Sequence, residues 1–130
     1  MGSNQVVNFV SAISNSQNSL RYSFFWPHSK VIFDILKILN KEGYISHFQI
    51  CQKGKKKTFK IYLKHETSFG KTNKFKIISK PSLERHFSKK DVWKFSNNMG
   101  VLVLSTPFGI ISDREAKLLG TGGKVLLYVY

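Results

Sequence analysis

The sequence predicts an α+β fold of two small lobes, each a short mixed or antiparallel sheet carrying one or two helices. Three observations predict it. Segments with a period of two lie beside segments with helical periodicity in both halves of the chain. A polar stretch containing a glycine, His65–Asn73, separates the halves. The 130 residues, 42% hydrophobic and 14% aromatic, suit one compact domain or two small lobes and supply a real apolar core. The lobes are expected at residues 1–66 and 67–130.

Residues 4–17 place Val6, Val7, Phe9, Val10 and Ile13 at helical spacing, and the Ser/Asn-rich run Ser14–Ser19 is expected to end that helix. Tyr22–Trp26 is apolar and aromatic and stops at Pro27, which reads as a strand. The clearest helix follows. Ser29 is its candidate N-cap, Ile32, Ile35, Leu36 and Leu39 form one stripe, and Gly43 supplies the left-handed stop. Tyr44–Ile50 and Thr58–Lys64 read as strands around a basic tip. In the second, Phe59, Ile61 and Leu63 take one face and Lys60, Tyr62 and Lys64 the other.

In the second half, Lys74–Lys80 reads as a strand ended by Pro81. Ser88 with Asp91 resembles a capping box, opening a helix that buries Val92, Phe95 and Met99 and ends at Gly100. Val101–Leu104 is apolar without a break, as in a strand covered on both faces. Gly109–Ile111 reads as a short strand, Ser112–Leu119 as one helical turn or a loop, and Lys124–Tyr130 as an alternating final strand.

The charge narrows the partner. Lys and Arg number 21 against 7 Asp and Glu, a formal net charge of +14. Such a surplus repels itself unless an anion meets it, and phosphate backbones gain counterion-release entropy from each contact. A membrane surface would call for a basic amphipathic helix or a polybasic block beside an apolar anchor. Here the lysines run from Lys30 to Lys124, and no apolar run reaches the roughly 18–20 residues that span a bilayer. The densest run, Lys53-Gly54-Lys55-Lys56-Lys57, reads either as a solvated hairpin tip or as a phosphate contact through Lys55, Lys56 and Lys57. Arg occurs only at Arg21, Arg85 and Arg114. Lysine is a point charge without a planar fork, so a backbone binder fits better than a reader of base edges.

Catalytic constellations are not evident. His28, His47, His65 and His86 share no metal-ligand spacing, and Cys51 has no partner cysteine, which excludes a disulfide scaffold and points to a reducing compartment. Asp113 and Glu115 diverge on a helix, and salt bridging with Arg114 or a neighbouring lysine is their expected role. Ser105 lacks the nucleophile-elbow glycines, and Gly120–Gly123 lacks the Ser or Thr of a phosphate loop. No cofactor, metal or small-molecule substrate is expected.

The most informative stretch is Ser105–Ala116. It gathers small hydroxyl residues, a glycine and a turn-forming proline after a buried strand. Backbone and hydroxyl groups in such a loop approach sugar, phosphate or a base edge with little bulk, although a hairpin with a Ser/Thr turn has the same composition.

Ser105–Tyr130 resembles the C-terminus of the small-subunit ribosomal protein eight family, with its Ser-Thr-rich loop, a Ser/Thr-Asp-Arg-Glu-Ala segment, Gly-Gly and a last strand ending in Tyr-Val. Ser29-Lys30, Lys41-Glu42-Gly43-Tyr44-Ile45, Phe48, Ile78-Ser79-Lys80-Pro81 and Asn98-Met99-Gly100 are similar to further family motifs, in order, from about Ser29 to Tyr130. The resemblance implies a non-catalytic constituent of the small subunit that binds the central domain of its rRNA, beside neighbouring ribosomal proteins, and acts early in assembly. Residue by residue it implies RNA contact at Ser105, Thr106, Gly109, Ser112, Asp113, Arg114, Gly122 and Gly123, and at Ser29, Lys30, Lys80 and Pro81.

The chain departs from the family at Pro107-Phe108, which replace Ser-Lys, so Phe108 is expected to stack on a base or ribose or to pack on a protein neighbour. Ser82 replaces a glycine, and Glu84 stands near a usually basic position. The first twenty residues hold no Lys or Arg and lack a secretory or transit pattern. With plentiful Lys, Asn, Ile, Phe and Tyr, these departures point to an organellar copy, mitochondrial first and plastid second, with the bacterial cytoplasm as the alternative. A rival reading is a stand-alone RNA- or DNA-binding regulator. It calls for a recognition helix with a base-reading Arg/Asn/Gln face, which neither expected helix offers.

Overall fold

A computed structural model of the chain describes residues 2–19, 21–64, 73–95 and 100–130. The first half contains α1 (Gly2–Asn18), β1 (Ser23–Pro27), α2 (Lys30–Lys41), β2 (Ile45–Lys53) and β3 (Lys56–Leu63). The second contains β4 (Phe75–Ile77), β5 (His86–Phe87), α3 (Lys89–Phe95), β6 (Val101–Thr106), β7 (Gly109–Ser112), α4 (Asp113–Leu119) and β8 (Gly123–Val129). Each half owns one sheet, and every pairing is antiparallel. The first sheet runs β1-β3-β2; the second runs β4-β8-β6-β7, with β5 also on β8. The α+β class and the two lobes are as expected. The expected boundary at 66/67 and most of the polar stretch His65–Asn73 lie outside the described residues.

The helices form where the apolar stripes stand. Val6, Phe9, Val10 and Ile13 are buried on α1, and Ile32, Ile35, Leu36 and Leu39 on α2. Helix α1 ends at Asn18, inside the Ser14–Ser19 run expected to stop it, after continuing through most of that run. Ser16 is buried and α1 packs along β4, so tertiary contact overrides the modest helix propensity of Ser and Asn. Gly43, at φ +82°, turns the chain out of α2, and the Tyr44 N–H closes on the Leu39 carbonyl at 2.8 Å.

One apolar core runs from the first sheet to the second. Phe24, Phe59 and Ile61 of the first sheet share it with α1, α2, and Val101, Val103, Leu127 and Val129 of the second. A smaller core on the opposite face of the second sheet joins Leu102, Leu104 and Val125 to Val92 of α3 and Ala116 of α4. Strand β6 is therefore covered on both faces, as its unbroken apolar run predicts. Each such side chain contributes about 1.5–3 kcal/mol when fully buried.

Several details differ from expectation. The last strand does not simply alternate: Val103 pairs with Leu127 and Leu104 with Val125, so Leu126 is an extra residue on β8. This bulge buries Val125, Leu126 and Leu127 in succession. The strand expected over Lys74–Lys80 ends at Ile77 because Ser79 leaves the ladder. Its buried hydroxyl donates to the Val125 carbonyl and accepts the Arg85 N–H at 3.0 Å, clamping this segment to β8. Ser112–Leu119 resolves into a capped helix: the Ser112 hydroxyl accepts the Glu115 N–H at 3.3 Å, and Gly120 ends α4 in the left-handed region. Ser88 and Asp91 form the expected reciprocal cap, the Ser88 N–H donating to the carboxylate at 3.0 Å and the Asp91 N–H to the hydroxyl at 3.3 Å. Those bonds hold the Asp91 carboxyl below its usual range. Met99 lies outside the described residues.

Three strands converge at Gly122 and Gly123. A Cβ on Gly123 would stand 2.3 Å from the Ser105 carbonyl oxygen, and one on Gly122 would stand 2.2 Å from that of Phe87. Gly123→Ala is expected to destabilise the fold by ~1–3 kcal/mol, since backbone rather than a side-chain tip must yield. Urea unfolding of both chains measures this, and an unchanged midpoint contradicts the packing described.

Candidate nucleic-acid interface

Of the two arrangements that fit the composition of this stretch, the structure has the hairpin with a Ser/Thr turn. Thr106 pairs with Gly109 and Ser105 with Ile110, leaving Pro107-Phe108 as the turn. The Thr106 hydroxyl donates to the Gly109 carbonyl at 2.9 Å and accepts the Phe108 N–H at 3.1 Å. Gly109 adopts φ +109°, which glycine tolerates and other residues resist. Thr106 thus shapes the turn from within. Phe108 projects from it, 63% exposed. Ser105, half-buried, lies between Ile110 of β7 and Lys124 of β8.

A groove runs beside this turn. Phe108, Gly109 and Ile110 form one wall, and Lys30, Lys37 and Lys41 stand on the α2 wall opposite. Two carboxylates temper the lysines. Asp34 accepts from Lys30 at 3.1 Å and Lys37 at 3.4 Å, and Glu115 stands 3.9 Å from Lys41. Lys30, Lys37 and Lys41 recur on one helical face, so their spacing carried a signal; their position opposite the turn depends on how α2 packs on β7.

The basic run Lys53–Lys57 is a hairpin tip. Lys53 pairs with Lys56 around Gly54-Lys55, and Lys55, Lys56 and Lys57 are exposed. The Lys57 carbonyl accepts the His28 N–H at 3.1 Å, which ties the tip to the entrance of α2. Ser29 holds the N-cap position, but its hydroxyl donates to Gln5 Oε1 at 2.6 Å and so links α1 to α2 instead of capping. Lys57 is thereby tied to the segment that leads into α2, and Lys30 of α2 lines the groove with Phe108.

The other expected positions lie apart from the turn, and several are engaged within the fold. Ser112 caps α4. Asp113 is buried and accepts the Leu102 N–H at 3.4 Å, so neither side chain faces a ligand. Arg114 is ion-paired with Glu42 at 2.9 Å, and Asp113 makes no ion pair with it. Gly122 and Gly123 permit close backbone approach. Lys80 and Pro81 are exposed on a separate tight turn, closed by the Lys80 N–H to the Leu83 carbonyl (2.9 Å) and the reverse bond (3.0 Å). Lys124 pairs with Glu84 at 3.2 Å, and its hydrogen bond, with its charge, holds the Glu84 carboxyl below the usual range. Among the described residues no group of His, Cys, Asp and Glu is arranged to hold a metal ion, and no helix is long and apolar enough to cross a membrane.

The model of the Ribosomal protein S8 family matches residues 4–130. This chain belongs to the ribosomal protein S8 family. Relatives named small ribosomal subunit protein uS8 agree along nearly their whole length. The one from Cupriavidus metallidurans is 33% identical over 127 residues, covering 98% of this chain and 97% of the relative. The one from Rickettsia typhi is 36% identical over 127 residues, covering 96% of each. A third, from Burkholderia cenocepacia, is 33% identical over the same length. Membership makes the chain a structural, non-catalytic ribosomal protein of the small subunit, of bacterial type. In an S8 protein a closed turn, a lysine-lined groove and a basic hairpin tip suit neutralisation of a folded RNA backbone.

Burial pushes the Asp113 carboxyl up, against the pull of the N–H groups of Leu102, Asp113 and Arg114. The folded form therefore holds its proton more tightly than the unfolded chain. Ionisation costs stability as pH rises from the ordinary carboxylate range through the raised value. Relative to Asp113→Asn, the natural protein is expected to gain stability as pH falls through that window. Paired urea titrations from neutral to acid pH measure the difference, and a constant difference contradicts the burial argument.

Proposed function

We propose that the chain holds the central domain of small-subunit rRNA and supports assembly of the subunit, beside neighbouring ribosomal proteins. The observation that carries this reading is the β6–β7 turn, raised at the end of the second sheet with Phe108 exposed and lysines of α2 across the groove. Its internal hydrogen bonds preset its shape, so it meets a shaped RNA surface without an ordering cost. Lys30, Lys55, Lys56, Lys57 and Lys80 supply capture by charge, and Ser105 and Gly109 allow close approach. Residues 1–66 act as the N-terminal lobe and 67–130 as the lobe making the specific contact.

The compartment we favour is the mitochondrial ribosome. The plentiful Lys, Asn, Ile, Phe and Tyr, and Pro107-Phe108 where the resemblance expects Ser-Lys, support an organellar copy. Bacterial relatives are equally compatible with a bacterial cytoplasm. Fractionating the native source distinguishes the two, through the ribosomes with which the chain travels.

Lys55→Glu with Lys57→Glu is expected to flatten the salt dependence of binding to a central-domain rRNA fragment, by ~0.7–0.9 in log–log slope for each phosphate no longer neutralised. An unchanged slope makes the tip solvent-facing only. Phe108→Ala is expected to weaken binding to that fragment more than to unmatched RNA; equal losses remove the turn from the specific contact. In gradients of the native source the chain is expected to sediment with small subunits. Recovery only from RNA-free fractions overturns the functional reading.

A further inference from the structure

The first sheet has a second face that the β6–β7 site does not use. Both α1 and α2 lie on its inner side, over Phe24, Phe59 and Ile61. The outer side carries Phe25 from β1, Lys56, Lys60 and Tyr62 from β3, and His47 from β2, in register across the strands. Phe25 is 62% exposed. His47 and Tyr62 lie ring on ring, centroids 4.0 Å apart and planes within 13°. Lys60 stands between the rings, its ammonium 5.7 Å from the Phe25 centroid and 5.2 Å from that of Tyr62. A shallow groove beside Phe25 is floored by Thr58 and Cys51 and edged by Lys53, Lys56 and Lys60.

Charge fixes the sign of the occupant. None of the residues of β1, β2 and β3 is a carboxylate, while four lysines lie within the strands. Asp34 belongs to α2 and Glu42 follows it, against the inner side. An apolar protein partner would gain nothing from that cation density, and a duplex offers its phosphates but keeps its base faces stacked. Flat rings interleaved with lysines match the two chemistries of an unpaired strand, base faces for the rings and phosphates for the ammonium groups. We propose that this outer face binds single-stranded RNA, stacking one base on Phe25 and another on the His47–Tyr62 pair. The site extends RNA binding to a second surface and does not require the β6–β7 turn to be the specific contact.

The test uses the full chain and three probes: an unstructured RNA of about ten nucleotides, a duplex of the same length, and a central-domain rRNA fragment. Phe25 points outward, so Phe25→Ala is expected to fold normally, checked by its thermal melt. Its affinity for the single strand is expected to fall about ten-fold, the size of one base–ring stack. His47→Ala should act in the same direction, and Phe25→Trp should restore binding. The duplex and the central-domain fragment should bind Phe25→Ala as they bind the natural chain. Unchanged affinity of Phe25→Ala for the single strand overturns the proposal, as does an equal loss on the duplex or failure of the natural chain to hold the single strand. Failure on the central-domain fragment alone would instead count against the function proposed above and leave the single-strand result to stand.

Discussion

Burial of β6 on both faces requires apolar cover from two directions. Val101 and Val103 enter the core closed by α1 and α2, and Leu102 and Leu104 enter the core beneath α3 and α4. The bulge in β8 places both Leu126 and Leu127 in the first core while Val125 enters the second. At Gly123, β8 approaches the end of β6 closely enough to exclude a Cβ. The β6–β7 turn thus leaves a strand fixed on every side. A rigid strand ending in a turn closed by Thr106 presents one shape, which is what recognition of an irregular RNA surface demands.

Charge plays a separate part. Basic residues are spread over both halves of the chain, among them the hairpin tip, α2 and the outer face of the first sheet, while the Ser105–Gly109 turn carries no charged side chain. Long-range attraction and local fit therefore reside in different groups. Carboxylates beside the groove, Asp34 and Glu115, orient its lysines without reversing the sign of the field.

Much of the fold was legible in the sequence because its strongest signals are local. The stripe Ile32–Leu39, the alternation through Phe59–Leu63, the run Val101–Leu104 and the Ser88–Asp91 box each declare an element within a few residues. What escaped was set by tertiary contact. Helix α4 has only Ala116 and Asp113 buried, too thin a stripe to read. The two-residue strand β5 exists only through its pairing with β8. At the candidate site, the composition of Ser105–Ala116 marked a turn but not the inward roles of Thr106, Ser112 and Asp113, which depend on partners within the folded sheet. Lys37 and Lys41 belong to the groove only because α2 packs on β7, a placement that their spacing alone does not encode.

The central claim is that a neutral, preset turn makes the specific RNA contact while lysines elsewhere provide attraction. Ultraviolet crosslinking within intact small subunits, read by mass spectrometry of the crosslinked peptides, tests it most directly. The account predicts crosslinks from the peptide carrying Ser105–Gly109 to central-domain rRNA. Crosslinks confined to the lysine-rich hairpin, with the turn peptide recovered free of RNA, would contradict it.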